Sequence, residues 1–310
     1  MTTLLYTHPL CQGHDTGPGH PENSERLRVV LNALNAAEFA PLVRLEAPRA
    51  SPQEILRAHT EAYVARVMHE QPREGDRVYL DPDTVLSHGS WEGQLRCIGA
   101  TEAAIDAVAA KQGRNAFCAV RPCGHHAEAD RAMGFCIFNF AAIGALYARD
   151  HAGFGKVALI DFDVHHGNGS QHILWDEPGM FYASTHEAHH YPNTGFPNET
   201  GARGEIVNVP LAAGSGSQEF RKAFERIILP ALTTFHPDII LISAGFDAHA
   251  ADPLADLQLT TEDFGWVTRK LMEVADACCE GRVVSFLEGG YNLHALAASA
   301  AEHVRALMAK

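Results

Sequence analysis

The run Val157-Ala-Leu-Ile-Asp-Phe-Asp-Val-His-His166 decides how the rest of the chain is read. Four apolar residues, Val157–Ile160, end abruptly in carboxylates and imidazoles. A continuous apolar run of this length, bounded by Gly and Asp, suits a parallel strand covered on both faces. Where the strand runs out, Asp161, Asp163 and His165 fall at alternate positions. Extended backbone points alternate side chains to one side, so all three are expected to face one point.

Working outward, this strand (Lys156–Phe162) is one of five such runs. The others are Ala116–Val120, Met180–Ser184, Ile239–Ser243 and Val283–Leu287. Between them lie segments of helical character: Asn23–Leu34, Trp91–Ala110, Phe138–Ala148, Gln218–Phe235, Thr261–Cys279 and Asn292–Met308. Ser217 is expected to cap the fourth of these. Thr260 is expected to cap the fifth, with Asp263 three residues on. Strands alternating with helices predict a doubly wound parallel sheet, with helices on both faces in three α/β/α layers. No linker or composition break divides the chain, so residues 1–310 read as a single domain.

Composition narrows the function classes. The net charge of −14 repels phosphates and anionic lipid, which speaks against direct nucleic-acid or membrane binding. No stretch approaches ~20 uninterrupted apolar residues, the length needed to span a bilayer. The N-terminus has no basic segment followed by an apolar one, so no signal peptide is read there. The seven cysteines are odd in number and lack zinc-knuckle spacing. A reducing, cytoplasmic compartment is expected. The 19 histidines include three adjacent pairs, a first hint of metal or proton-transfer chemistry.

Polar clusters follow directly on four of the apolar runs. Arg121-Pro-Cys-Gly-His-His126 follows one. Asp161-Phe-Asp-Val-His-His166, Ala244-Gly-Phe-Asp-Ala-His249 and Glu288-Gly-Gly-Tyr291 follow the others. Sites in open parallel sheets form beyond the carboxyl ends of the strands, so these clusters are expected to meet in space. Asp163, His165 and Asp247 then offer two carboxylates and one imidazole. That set suits a borderline divalent cation such as Zn2+, with Fe2+ or Co2+ as substitutes. Three protein ligands leave positions open for water and substrate, as catalytic sites do. Taken singly, each of these residues reads better as a helix cap or a satisfied core polar group; the whole set at strand ends does not.

Adjacent histidines rarely chelate one ion, because neighbouring side chains diverge. His125 and His126 therefore read as acid/base groups beside the metal, although ligation stays open. Asp161 and Asn168 are candidate partners for their second nitrogens. A charged partner on one ring and a neutral partner on the other would give the two different basicities. Gly289 and Gly290 permit a tight turn and a close backbone approach to a ligand. Tyr291 beyond them is placed to donate to a developing oxyanion, or is simply a packed tyrosine.

These motifs, taken in order, resemble the histone deacetylase family, which shares its fold with arginases. The resemblance starts at Gly19-His-Pro-Glu-Asn-Ser-Glu-Arg-Leu27 and runs through Gly124-His-His126 and Gly134-Phe-Cys-Ile-Phe-Asn139. It continues at Asp161–Gly169 and ends with Ser243–His249 and Glu288–Tyr291, so it covers nearly the whole chain.

The resemblance implies one zinc per chain on Asp163, His165 and Asp247. It implies tandem catalytic histidines at His125 and His126, oriented by Asp161 and Asn168, and a transition-state tyrosine at Tyr291. It makes Gly134, Phe135 and Tyr191 walls of an acyl-lysine tunnel, and implies a structural potassium ion at Asp161, Asp163, His165, Ser184 and Thr185. Leu254 stands where a polyamine-selective relative carries Glu, which favours acetyl-lysine over acetylpolyamines. Asp81 or Asp83 is expected at the rim, unless either is only a turn residue. Phe140 replaces an Asn common in the family, and a local packing change is expected there.

The implied reaction is hydrolysis of an acylated lysine or small amine. The competing readings are an acetylpolyamine amidohydrolase, a two-manganese ureohydrolase of the same fold, and a non-catalytic acyl-lysine-binding protein. Oligomeric state is not legible.

Overall fold

The computed structural model describes residues 2–309. Its strands are β1 (Thr3–Thr7), β2 (Val43–Glu46), β3 (Arg77–Tyr79), β4 (Val85–Ser87), β5 (Asn115–Cys118), β6 (Val157–Asp161), β7 (Met180–Glu187), β8 (Ile206–Leu211), β9 (Ile239–Ala244) and β10 (Val283–Leu287). Its α-helices are α1 (Ser24–Ala33), α2 (Glu61–His69), α3 (Ser90–Ala109), α4 (Phe140–Asp150), α5 (Asn168–Leu174), α6 (Ser217–Ala223), α7 (Leu229–Phe235), α8 (Thr261–Cys279) and α9 (Leu293–Met308).

Eight strands form one sheet in the order β2-β1-β5-β10-β9-β6-β7-β8. Every pairing within it is parallel. β3 and β4 form a separate antiparallel hairpin. α3 packs with α4, while α9 packs with both α1 and α8. The sheet therefore lies between two helical layers, and the expected α/β/α architecture is observed. Each residue of β5, β6, β9 and β10 is buried. Coverage on both faces is why these strands read as unbroken apolar runs rather than as alternation.

The sheet order explains where the site forms. β5, β10, β9 and β6 are consecutive neighbours at its centre. Because they are parallel, all four end at the same edge. The polar clusters that follow them are spread over more than 160 residues of sequence, from Arg121 to Tyr291, yet they surround one crevice.

The element limits differ in places from the sequence reading. β5 stops at Cys118, short of Val120, and β7 runs on to Glu187. β1, β2 and β8 were not legible as strands. All four residues of β2 are exposed, and its two apolar residues, Val43 and Leu45, make no continuous apolar run. β8 contains Pro210, which the edge position tolerates. The segment Gln218–Phe235 is not one regular α-helix, because a π-helical turn at Phe224–Ile228 separates α6 from α7.

Ser217 does not cap α6. Gly216 occupies the cap, its N–H donating to Glu219 Oε2 at 3.1 Å. The Ser217 hydroxyl instead donates to Asp263 Oδ2 at 2.6 Å, tying α6 to α8. Thr260 caps α8 as expected, its N–H donating to Asp263 Oδ2 at 2.9 Å. Among the described residues, no helix is long and apolar enough to cross a membrane.

Candidate active site

The backbone leaves the sheet after Asp161, and the expected alternation breaks there. Asp161 is not part of the cluster that Asp163 forms with His165 and Asp247. Its Oδ1 accepts the Asp163 N–H at 3.1 Å, and its Oδ2 accepts from His125 Nδ1 at 3.0 Å and from the Tyr182 hydroxyl at 3.3 Å. Asp163 and His165 converge, and Asp247 joins them from the end of β9. Their ligand atoms all lie within 4.8 Å of one another, and all three residues are buried.

His165 Nδ1 lies 3.1 Å from Asp163 Oδ1 and 3.2 Å from Asp247 Oδ2. Ligand atoms bound tetrahedrally to Zn2+ at about 2.0 Å stand roughly 3.3 Å apart, so the donor set fits a small divalent cation. Burial opposes a charged His165, but Asp163 and Asp247 raise its pKa to about 10. The two carboxylates thus favour positive charge at this point, which a bound cation supplies.

Backbone amides hold the two carboxylates in place. Gly289 N–H donates to Asp163 Oδ2 at 2.8 Å, and Val164 N–H donates to Asp247 Oδ1 at 2.9 Å. Gly289 has no room for a side chain. A Cβ there would lie 2.0 Å from Asp247 Oδ2 and 2.5 Å from Asp163 Oδ2.

His125 and His126 stand side by side, ring centroids 4.1 Å apart. Each has a different partner. His125 Nδ1–H donates to the Asp161 carboxylate. His126 Nδ1–H donates to Asn168 Oδ1 at 2.8 Å. Their basicities split accordingly. Burial lowers the His125 pKa, but Asp163 and Asp161 outweigh it and hold it well above the ordinary value. Burial and the neighbouring His125 and His165 push His126 well below it. A charged ring and a neutral ring therefore sit together beside the ligand cluster.

A cavity of about 220 Å³ opens over these groups. It is lined by Asp83, His126, Gly134, Phe135, His165, Tyr191, Leu254 and Tyr291. Tyr191 packs edge-on to His126, centroids 5.2 Å apart, and Phe135 packs edge-on to Tyr291 at 5.8 Å. Gly134 has a φ of 56°, and a Cβ on it would fall 2.4 Å from His126 Cδ2. The wall at this point is bare backbone because the imidazole presses on it.

Asp81 and Asp83 separate in role. Asp81 is a turn residue, its Oδ1 accepting the N–H groups of Asp83 (3.0 Å) and Thr84 (2.6 Å). Asp83 lines the cavity mouth, where burial and Asp81 raise its pKa to about 6. Ser184 lies beside Asp161 in the β6–β7 register. Phe140 is buried and packs edge-on to Phe286, with its ring close to Gly124.

Several residues that hold the site were quoted in motifs but given no role from sequence. Glu288 Oε2 accepts the Gly124 N–H at 2.7 Å and the His125 N–H at 3.3 Å, and Oε1 accepts the Ser243 hydroxyl at 3.1 Å. Burial raises its pKa to about 7. Asn139 Nδ2 donates to the carbonyls of His125 and Ala127, both at 3.3 Å.

Glu22, Arg26 and Arg121 form a fully buried charge network. Arg121 binds Glu22 through Nε at 2.8 Å and Nη2 at 2.7 Å. Arg26 reaches Glu22 at 3.2 Å, donates from Nε to the Gly290 carbonyl at 2.6 Å, and donates from Nη2 to the Glu288 carbonyl. The one available signal was a cluster of charged residues in a segment whose neighbours are core-forming. Which backbone they serve depends on contacts some 260 residues away.

Comparison with known proteins agrees with this architecture. The histone deacetylase domain profile matches residues 20–307. Histone deacetylase 10, chloroplastic, of Oryza sativa subsp. japonica is 38% identical over 98% of this chain and 73% of its own. The histone deacetylase-like amidohydrolase of Pseudomonas aeruginosa is 34% identical, over 94% of this chain and 82% of its own. The crystal structure of the HDA15 HD domain superposes with a TM-score of 0.91 at 33% identity, covering 99% of this chain and 88% of that one. On profile, sequence and fold alike, the chain belongs to the histone deacetylase family of hydrolases.

Proposed function

We propose that the protein is a zinc-dependent deacetylase that hydrolyses the amide of an N-acylated amine, with acetyl-lysine as the leading substrate. The observation that carries this reading is the pairing of a buried Asp-His-Asp cluster with two adjacent histidines of opposed basicity, with His165 of the cluster and His126 of the pair lining one cavity.

Asp163, His165 and Asp247 would hold the cation, which supplies Lewis acidity to the acyl carbonyl and to water. His126 is the general base. Its Nδ1 carries the proton given to Asn168, so Nε2 is free to take a proton from the attacking water and return it to the leaving amine. His125, held charged by Asp161, supplies electrostatic support. The Tyr291 phenol stays protonated, since burial and nearby Cys123 raise its pKa. It donates to the oxyanion as that charge develops. Gly134, Phe135, Tyr191, Leu254 and Gly289 shape the channel for the acyl chain.

Potassium belongs to the same proposal, held by Asp161, Asp163, His165, Ser184 and Thr185. Ser184 and Thr185 point to opposite faces of β7, so backbone oxygens must contribute. All seven cysteines are free, which fits residence in a reducing compartment such as the cytoplasm.

Leu254 in the cavity wall favours a neutral aliphatic chain over a polyamine with a distal ammonium. The second cluster of candidate ligands among the described residues is Cys123, Cys136 and Glu288. It offers two thiols and one Glu carboxylate, not the further Asp ligands that a two-manganese ureohydrolase needs.

The decisive experiment compares hydrolysis of acetyl-lysine peptide, trifluoroacetyl-lysine peptide and acetylpolyamines, with a hydroxamate control and metal analysis. Hydroxamate-sensitive turnover of an acyl-lysine peptide with one zinc per chain is expected. Two manganese ions per chain, or zinc without turnover of any acylamine, overturns the reading.

A further inference from the structure

Glu128 lies outside the groups assigned above, yet three hydrogen bonds converge on its side chain, which is only 7% exposed. Asn168 Nδ2 donates to Glu128 Oε1 at 2.5 Å. His172 Nδ1 donates to Oε1 at 2.8 Å and to Oε2 at 2.9 Å. Asn168 and His172 are four residues apart on α5, so both donors project from one helix face. The backbone of Glu128 is also anchored. Its N–H donates to the Arg131 carbonyl at 3.0 Å, and its carbonyl accepts from His59 Nδ1 at 2.9 Å. Arg131 Nη2 stands 3.8 Å from Oε1.

The consequence concerns the symmetry of an amide. A carboxamide turned over by 180° fills the same space but exchanges its acceptor for a donor. In one orientation, Asn168 presents oxygen to His126 and keeps the proton on Nδ1. In the other, it presents NH2, which forces Nδ1 to accept and moves the ring proton to Nε2. An imidazole in that second tautomer has no free Nε2 lone pair with which to act as a base. A carboxylate accepts and cannot donate, so Glu128 binds only the NH2 end of Asn168. The Asn168 Nδ2 bond to the His126 carbonyl, at 3.2 Å, reinforces the same choice.

We propose that Glu128 is a positioning residue that, braced by His172, locks the Asn168 amide and thereby fixes His126 in the tautomer with a bare Nε2. The assignment rests on the reading of His126 as the base. It makes Asn168 and Glu128 a matched pair. An acid at position 168 would set two carboxylates against each other at hydrogen-bond distance, so the neutral amide is compatible with Glu128 and Asp is not.

The test uses Glu128→Leu, Glu128→Gln, Asn168→Asp and the double variant Asn168→Asp/Glu128→Gln in the full chain. The readouts are the 15N signals of labelled histidines, with His126 assigned by His126→Gln, and steady-state kinetics on acetyl-lysine peptide. Wild type should show His126 Nε2 unprotonated. Glu128→Leu should show mixed or exchanged tautomers and lose about tenfold or more in kcat, at the low end of what outer-shell partners cost, with KM nearly unchanged. Glu128→Gln retains an acceptor oxygen but can also turn its NH2 towards Asn168, so it should fall between wild type and Glu128→Leu in both. Asn168→Asp should be worse in the presence of Glu128 than in the double variant.

A Glu128→Leu protein with the wild-type 15N signature overturns the proposal, as does a double variant no better than Asn168→Asp. If Glu128→Leu fails to fold, the cycle between positions 168 and 128 still decides. A wild-type protein inactive on every acylamine would sink the deacetylase reading. The 15N signature would still judge the lock separately.

Discussion

The guanidinium of Arg26 lies 4.8 Å from the centre of the Tyr291 ring while donating to the carbonyls of Glu288 and Gly290. A residue of the N-terminal segment thus grips the glycine turn that carries the tyrosine and stacks on the ring itself. Glu22, shared with Arg121, is the carboxylate that pairs with Arg26.

Arg26→Met should keep most of the apolar volume and remove the grip. Misplacing a reacting group by about 1 Å can cost on the order of 100-fold in rate. The expected result is a kcat loss of roughly 10- to 100-fold, larger than the change in KM. The folded state should also be weakened, because two buried carbonyls lose their donor. Steady-state kinetics and a urea titration on the same preparation separate the two effects. Unchanged kcat in a folded variant would show that Arg26 serves stability alone.

Tyr291→Phe removes only a hydroxyl from a ring packed between Arg26 and Phe135. Loss of one oxyanion donor typically costs about 100- to 1,000-fold. Turnover should fall by that amount while metal content stays at the wild-type level, measured by elemental analysis. Near-normal turnover would take the oxyanion role away from Tyr291.

Gly289→Ala tests the cation site without touching a ligand. The new Cβ would meet both ligand carboxylates at impossible distances, so Asp163 and Asp247 must part. Zinc affinity should drop by about 10-fold or more, read by competition with a chromophoric chelator. Affinity equal to wild type would mean that the two carboxylates do not bind as a unit.

Leu254→Glu places an acid in the cavity wall. An acid there should pair with a distal ammonium, raising kcat/KM for acetylspermidine relative to acetyl-lysine peptide. No change in that ratio would show that position 254 does not contact the chain beyond the acyl group.

His59 predicts an acid weakness. Its Nδ1 donates to the Glu128 carbonyl and its Nε2 accepts the Asn139 N–H at 2.8 Å, so the ring is neutral in the fold. Burial lowers its pKa from 6.5 to about 4. Between those values the unfolded chain carries a proton that the folded chain does not. Stability contributed at neutral pH is therefore lost as pH falls from 6.5 towards 4, by up to about 1.4 kcal/mol per pH unit. Other buried histidines add to the slope, so the difference from His59→Gln isolates this one. Urea midpoints from pH 7 to 4.5 should fall less steeply in the variant. Parallel curves would refute the assignment.

The central strands and the clusters at their ends were legible in sequence because burial on both faces leaves unbroken apolar runs, and chemistry-bearing residues mark where those runs stop. β2 and β8 were not, since an exposed strand and a strand broken by proline carry no such pattern. α5 was missed because seven residues opening Asn168-Gly-Ser show no helical period.

Within the candidate site, residue type alone named Asp163, His165 and Asp247 as a possible ligand set, and named Asp161 and Asn168 as possible partners of the histidine pair. It could not show that Asp161 stays outside the Asp163, His165 and Asp247 cluster and pairs with His125 instead, because that depends on how the chain turns once β6 runs out. It gave no role to Glu22, Arg26, Glu128 or Glu288, whose partners lie on distant segments. Sequence by itself determined which groups were available and at which strand ends they stand. The order β5-β10-β9-β6 decided that those ends meet, because only pairing between distant strands sets which neighbours share an edge.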